Sequence, residues 1–308
     1  MGVFWVCYQS MMTLTNPICT GADPWVIRHE GQLILCQSVG NGVAIRRSET
    51  LEGLATATPE LLWQALESGP FSQEIWAPEL HFHQGRWYVY VAADDGDNAN
   101  HRMIVLHSEN LLGPYVFMGK LALAPDRWAI DGTLVPFDGM LYFLWSGWEG
   151  FENTEQHLYI CPMSDPLTPS GARVRLSSPG LAWEKRGSGG PSKLPAINEG
   201  PQVLERNGTL HIIYSAAGSW CDDYCLGRLS LAPGGDPLDS SAWQKHPTPV
   251  FEKTETVFGP GHCSFVSDGK QDVIVYHSAR HSGAGWNRVI RAQPFTWKGD
   301  IPEFGKPV

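Results

Sequence analysis

The chain has 308 residues, 43% of them hydrophobic and 18% charged, and its formal net charge is −10 without any run of Lys or Arg. That length supports one large domain with a substantial core, and the acidic balance excludes a phosphate-backbone partner, so no nucleic acid is expected. No segment is long and apolar enough to cross a bilayer as a helix, and no membrane partner is expected either.

The first residues, "MGVFWVCYQSMMTLTNP", are mildly apolar, with no Lys or Arg before the apolar part and no small-residue cleavage site. They make a poor secretory signal. Residues 1–14 are therefore read as a leader, disordered or upstream of a start at Met11 or Met12, and residues 15–308 as a single domain in the cytoplasm. Seven cysteines, at positions 7, 19, 36, 161, 221, 225 and 263, form neither a zinc spacing nor an even disulfide set, and reduced thiols are expected.

Five stretches then follow with one layout: a polar residue, a strand, a glycine turn and a second strand. "ADPWVIRHEGQLILCQS" leads with Asp23 and turns at Gly31, "WAPELHFHQGRWYVYVAA" leads with Glu79 and turns at Gly85, and "IDGTLVPFDGMLYFLWSG" leads with Asp131 and turns at Gly139. "INEGPQVLERNGTLHIIYSAAG" leads with Glu199 and turns at Gly208, and "GPGHCSFVSDGKQDVIVYHS" leads with His262 and turns at Gly269. The turns HEG, HQG, FDG, RNG and SDG supply positive φ between aromatic and β-branched runs, the signature of β-hairpins. Their spacing leaves room for two further strands per unit. The expected fold is all-β: a five-bladed β-propeller with four antiparallel strands per blade, using Trp (13) in packing and Gly (33) in turns.

In such a ring the first strand of each blade borders the central channel, so Asp23, Glu79, Asp131, Glu199 and His262 converge. Singly, each has a bland explanation as a turn cap, a solvated loop residue or a hydrogen-bonded core histidine. Jointly, crowded carboxyls cost several kcal/mol per group in order of magnitude. What they offer in return is separated pKa values, one carboxyl kept protonated while a neighbour stays ionised.

The set "NPICTGADPW", "WAPELHFHQGRWYVYVAA", "IDGTLV", "NEGPQVL" and "GPGHCSF" resembles glycoside hydrolase family 43 over the chain from about residue 15. The resemblance implies Asp23 as general base, Glu199 as general acid, and Asp131 as the residue that tunes the acid's pKa and orients substrate. It places His262 where many relatives hold a hydrated metal ion, usually calcium, and Trp76 and Glu79 along the sugar pocket. It implies hydrolysis with inversion, since base and acid on different blades leave room for a water between them. "GADPWVIRHEG" resembles the arabinofuranosidase branch, so the expected substrates are arabinose-containing oligosaccharides or arabinan, cut at the chain end. A β-xylosidase or bifunctional enzyme of the same family is the alternative, and an inactive sugar-binding propeller is the alternative of another class. Fructan hydrolases of related five-bladed families carry an Asn-Asp-Pro-Asn-Gly motif that Ala22-Asp23-Pro24-Trp25 does not match.

Two further residues are substrate-binding candidates. Trp220, in "SAAGSWCDDYCLG", stacks on sugar or packs on a neighbouring blade. Arg291, in "WNRVIRAQPFTW", grips a sugar hydroxyl or neutralises the carboxylates. The acidic loop "AADDGDNANHRM" lacks the spacing of a calcium loop and is assigned no metal.

Overall fold

The computed structural model describes residues 14–267 and 271–308, and among these it holds β-strands, four short 3-10 turns and no α-helix. The first hairpin belongs to an antiparallel sheet of Trp25–His29, Gln32–Val39, Gly42–Ser48 and Glu60–Gln64. The second belongs to a sheet of Gln73–His83, Arg86–Asp94, Arg102–Ser108 and Val116–Lys120. A longer sheet joins two antiparallel runs. One contains Ala129–Phe137, Met140–Gly147, Glu155–Asp165 and Val174–Ser177; the other contains Ala196–Arg206, Thr209–Ala216, Cys225–Leu231 and Trp243–Lys245. Their link is a short parallel contact of Glu155 and Gln156 with Ala196 and Ile197. The last sheet runs Phe258–Ser267, Asp272–Ala279, Arg288–Lys298, and is completed by Cys19–Thr20 from the start of the chain.

Apolar runs such as Leu33-Ile34-Leu35-Cys36 lack alternation because both faces of the strand are buried, each against a different neighbour. Ile34 and Cys36 join a cluster with Val89, Val91 and Ile104 of the second sheet. Leu33 and Leu35 point the other way, to Val273, Val275 and Ile290 of the last sheet. The same division recurs at Tyr142 and Leu144 against Phe143 and Trp145, and at Val273 and Val275 against Ile274 and Tyr276. The core is thus a set of layers between neighbouring sheets. The leading strands touch in succession, Trp25–His29, Gln73–His83, Ala129–Phe137, Ala196–Arg206 and Phe258–Ser267, and the last returns to the first. They enclose an axis.

The structure revises the register of the repeat. A residue at positive φ, breaking the ladder as a bulge or standing just before the strand, occurs at Asp23 (φ 49°), Ala77 (44°), Asp131 (54°), Gly200 (52°) and His262 (43°). Ladder irregularities fall between Trp76 and Glu79, Ile130 and Thr133, Glu199 and Gln202, and Gly261 and Cys263. Counted from these positions, Gly31, Gly85, Gly139 and Gly208 each follow eight residues later. The equivalent positions are therefore Ala77 and Gly200, and Glu79 and Glu199 lie two after and one before them. A bulge re-aims side chains next to it, which is how off-register carboxyls still reach the axis.

The turn glycine Gly269, the candidate starts Met11 and Met12, and Cys7 lie outside the described residues. Leu14, assigned to the leader by sequence, instead packs partly buried against the Val26, Leu33 and Val273 cluster, so the fold includes it. The six cysteines among the described residues are free thiols.

Gly132 is closely packed: an added Cβ would lie 2.3 Å from Phe143 Cζ of its own sheet and 2.9 Å from Met103 Cε of the second sheet. Gly132→Ala is expected to cost about 1–3 kcal/mol in denaturant unfolding by overpacking. Gly150→Ala, where an added Cβ meets nothing within 4 Å, is the control and is expected to change little. Equal midpoints for the two variants would contradict the packing described.

Candidate active site

Asp23 enters the axis directly from the strand Cys19–Thr20, which pairs with Val289 and Ile290 of the last sheet. Its backbone N–H lies 3.1 Å from His277 Nδ1. Its Oδ1 lies 3.1 Å from His262 Nδ1, 3.2 Å from His277 Nδ1 and 3.5 Å from Arg288 Nη1. Burial pushes the Asp23 carboxyl up, but His262, His277 and Arg288 outweigh it and hold the group well below the usual carboxylate range. Burial also lowers both imidazoles, His277 to about 3. At neutral pH Asp23 is an ionised carboxylate whose permanent positive partner is Arg288.

Glu199 is set from the opposite side by a buried polar network. Its neighbour Asn198 accepts from Ser177 Oγ at 2.6 Å and donates to Glu184 Oε1 at 3.0 Å. Glu184, itself fully buried, also takes Lys245 Nζ at 2.7 Å and Tyr214 OH at 2.9 Å. The Glu199 carboxyl accepts from Tyr224 OH at 2.8 Å. Burial pushes it up to about 7, against the pull of the Tyr224 hydrogen bond and Arg288 and with added repulsion from Asp23. Asp131 accepts the Gly200 N–H at 2.9 Å, and burial, then the charges of Glu199 and Asp23, raise it well above its ordinary range. Asp131 and Glu199 repel one another and titrate as a pair.

Between base-like and acid-like carboxyls stands a pair of rings. His277, on Asp23, and Tyr224, on Glu199, stack with centroids 5.6 Å apart and planes at 11°. Each carboxyl is tied to a different ring, so the two are spaced rather than bonded. An ionised group and a protonated group facing one cavity can deprotonate a water and protonate a departing oxygen.

Glu79 reaches the same axis and is bound on both oxygens, to Gln202 Nε2 and, at 2.9 Å, to His81 Nε2. It braces the second leading strand against the fourth. Trp76 is half-buried, stacked 3.9 Å from His101 and donating to Glu74. Trp220 donates to Gly187 O at 3.0 Å and lies on the loop that also carries Tyr224. Arg291 is not part of the cluster: it is bound to Ser278 Oγ at 2.8 Å and Val308 O at 3.2 Å, and Arg288, three residues earlier, faces Asp23 instead. His262 is brought in as expected, with Nδ1 toward Asp23 and its ring against Gly200, where an added Cβ would lie 3.0 Å from Cγ. Among the described residues no group of three or more His, Cys, Asp or Glu side chains is placed to hold a metal ion directly. Sequence reasoning missed Arg288, His277, Tyr224 and Gln202. Gln202 lies on a leading strand itself, His277 on the second strand of the last sheet, Arg288 at the start of its third, and Tyr224 in the loop after Thr209–Ala216, so none of them occupies the leading position that the repeat exposes.

The alkaline limb of kcat/KM is expected near pH 7, where Glu199 loses its proton, while activity persists on the acid side to below the ordinary carboxylate range because Asp23 stays ionised. Tyr224 donates to the ionised form of Glu199 and so lowers its pKa. Tyr224→Phe should therefore move the alkaline limb to higher pH. A shift to lower pH in the variant's pH–rate profile would contradict the geometry.

Comparison with known proteins now bears on these features. The model of "Glycosyl hydrolases family 43" matches residues 14–302. An extracellular exo-α-(1→5)-L-arabinofuranosidase of Streptomyces avermitilis is 35% identical over 96% of this chain and 64% of its own length. One of the same name from Streptomyces chartreusis is 35% identical over 84% of this chain and 80% of its own. The chain thus spans less than two thirds of the first relative. The crystal structure of an α-L-arabinofuranosidase from Lactobacillus brevis superposes with a TM-score of 0.86 at 34% identity, over 95% of this chain and 96% of that one. The expectation of a cytoplasmic protein is corrected by the two Streptomyces relatives, which are named extracellular; it rested only on the weak signal character of the first residues. The match to the family model over nearly all of the described residues, together with the relatives' identity, places this chain in glycoside hydrolase family 43.

Proposed function

We propose that the protein is an inverting, exo-acting α-L-arabinofuranosidase that releases terminal arabinofuranose from arabino-oligosaccharides or arabinan. The observation that carries the reading is the opposite surroundings of two carboxyls: Asp23 lies beside the Arg288 guanidinium, which favours its ionised form, and Glu199 is buried with Tyr224 OH on its carboxyl, where burial favours the protonated form. The relatives' printed names support the sugar and the exo mode, and secretion is taken over from them with it. The order of contacts among the leading strands supports a five-bladed propeller of four-stranded blades, and the whole described chain as its single domain.

In this mechanism Asp23 takes a proton from the attacking water on one face of the sugar. Glu199 gives its proton to the glycosidic oxygen on the other face. Asp131 shares the buried proton balance with Glu199 and, through Gly200 N–H, holds the chain next to the acid in place. Trp76, Glu79 and Trp220 bound the pocket. A cation at His262 would use Nε2, because Nδ1 faces Asp23. A single imidazole fits only an ion held largely by water, calcium being the expected one, and no step above depends on it.

Early products from debranched arabinan should be arabinose. Dimers and trimers would refute the exo mode, and a preference for aryl xylosides would move the protein to the xylosidase alternative. General acid assistance is worth about 10²–10⁴-fold, and a sugar alkoxide needs it far more than a dinitrophenolate does. Glu199→Gln should therefore lose most of its activity on oligosaccharide and little on the dinitrophenyl arabinoside, while Asp23→Asn loses both alike. The reverse pattern would exchange the two roles, and a first-formed sugar of retained configuration by proton NMR would refute inversion.

Exhaustive chelation should lower the melting temperature modestly, since a bound ion stabilises only according to its occupancy. No change on chelation, with no metal by elemental analysis, would leave His262 as a hydrogen-bonding partner of Asp23 alone.

A further inference from the structure

We propose that Trp286 is the stacking platform for the second sugar of the substrate, the one on the leaving-group side of the scissile bond. The residue is 68% exposed. The loop that carries it, residues 280–287, follows strand Asp272–Ala279, and residues 217–224 follow strand Thr209–Ala216. Ala279 pairs with Phe258 and Ala216 with Asn198, so both loops emerge at the end of their sheets where Glu199 and His262 lie.

The two loops are tied into one wall. Ser282 Oγ and Gly283 N–H donate to Asp222 at 2.6 and 2.9 Å, and Trp286 Nε1 donates to Ser219 Oγ at 3.3 Å. The carbonyl of the same Ser219 accepts from Arg288 Nη2 at 2.8 Å, and the other arm of that guanidinium faces Asp23. Trp286 is therefore two hydrogen bonds from Arg288, the guanidinium that faces Asp23, and Tyr224, at the end of the partner loop, is bonded to Glu199. This puts the indole on the rim between base and acid.

Two observations choose its occupant. Asp131 and Glu199 are almost wholly buried, so the terminal sugar that reacts lies below the rim, and a residue this exposed meets what protrudes from the pocket. Among the described residues, the one aromatic more exposed than Trp286 is Phe151, and it has a face covered by Arg127, 3.9 Å from its centroid. Trp286 meets Trp220 only edge-on, at 6.5 Å and 87°, which leaves a flat, hydrogen-bond-anchored face to solvent. A preset aromatic face is the surface on which an apolar sugar face packs with little ordering cost.

The inference rests on the arabinofuranosidase reading, and kinetics with two substrates separates the two. For wild type, Trp286→Ala and Trp286→Phe, kcat and KM are measured with linear 1,5-arabinotriose and with methyl α-L-arabinofuranoside, whose leaving group carries no sugar. Losing a buried aromatic contact should raise the KM of Trp286→Ala for the triose about tenfold. Its kcat should hold, as it does when binding is lost equally in ground and transition states. Both parameters for the methyl glycoside should be unchanged, and Trp286→Phe should recover most of the loss. An unchanged KM for the triose, or an equal loss on both substrates, would overturn the proposal. Wild type that cleaves neither substrate would instead refute the arabinofuranosidase function itself, before any variant is considered.

Discussion

The site depends on one carboxylate belonging to two sheets at once. Asp23 stands at the head of the first sheet, yet its chain has just left the last sheet, and the groups around its carboxyl, His262, His277 and Arg288, all belong to that last sheet. Joining the first sheet to the last and fixing the Asp23 carboxylate are the same event. Were Cys19–Thr20 to leave Val289 and Ile290, Asp23 would lose the main-chain anchor that aims it and the cation that keeps it ionised. Coupling chemistry to that joining also explains why a carboxyl this crowded remains charged: burial alone would protonate it, and only the Arg288 charge with the oriented imidazoles reverses the sign.

The rest of the site is built by holding backbone where it would not otherwise go. Asp23, Ala77, Asp131 and His262 sit at positive φ, at a cost of about 1–3 kcal/mol each for such regions. Layers of apolar side chains between the sheets offset this, since fully burying a large aliphatic side chain returns about 1.5–3 kcal/mol. The bulges bring Asp131, Glu199 and His262 to one axis, and Asp23 joins them from just before its strand. The stacked His277 and Tyr224 rings then stand between the Asp23 and Glu199 carboxyls, each ring against one of them.

Much of this was legible in the sequence, for physical reasons. Strands buried on both faces read as continuous apolar runs, and turns at Gly31, Gly85, Gly139 and Gly208 are demanded by positive φ, so the hairpins were plain. Asp23, Asp131 and Glu199 stood out among five leading residues because the repeat exposes them, and the resemblance to glycoside hydrolase family 43 singled them out as a trio. The true register was hidden because two of its five positions, Ala77 and Gly200, carry no reactive group. Its signal was present in Asp23-Pro24, Ala77-Pro78, Asp131-Gly132 and Gly200-Pro201, each eight residues before a turn glycine. Arg288 was missed in favour of Arg291 because nothing local tells which arginine near the start of a strand faces inward. That choice is made by Ser219 and Asp23, far away in sequence. Trp286 had no repeat partner to reveal it.

The central claim is that the fold assigns opposite protonation states to two carboxyls of one pocket. Carboxyl-carbon NMR titration of protein labelled in Asp and Glu, with Glu199→Gln and Asp23→Asn to assign the two resonances, reads those states directly. The account predicts a Glu199 resonance that titrates at about 7 and an Asp23 resonance that stays in its ionised position down to acid pH below the ordinary carboxylate range. An Asp23 carboxyl that titrates near neutrality while Glu199 is already ionised would contradict it.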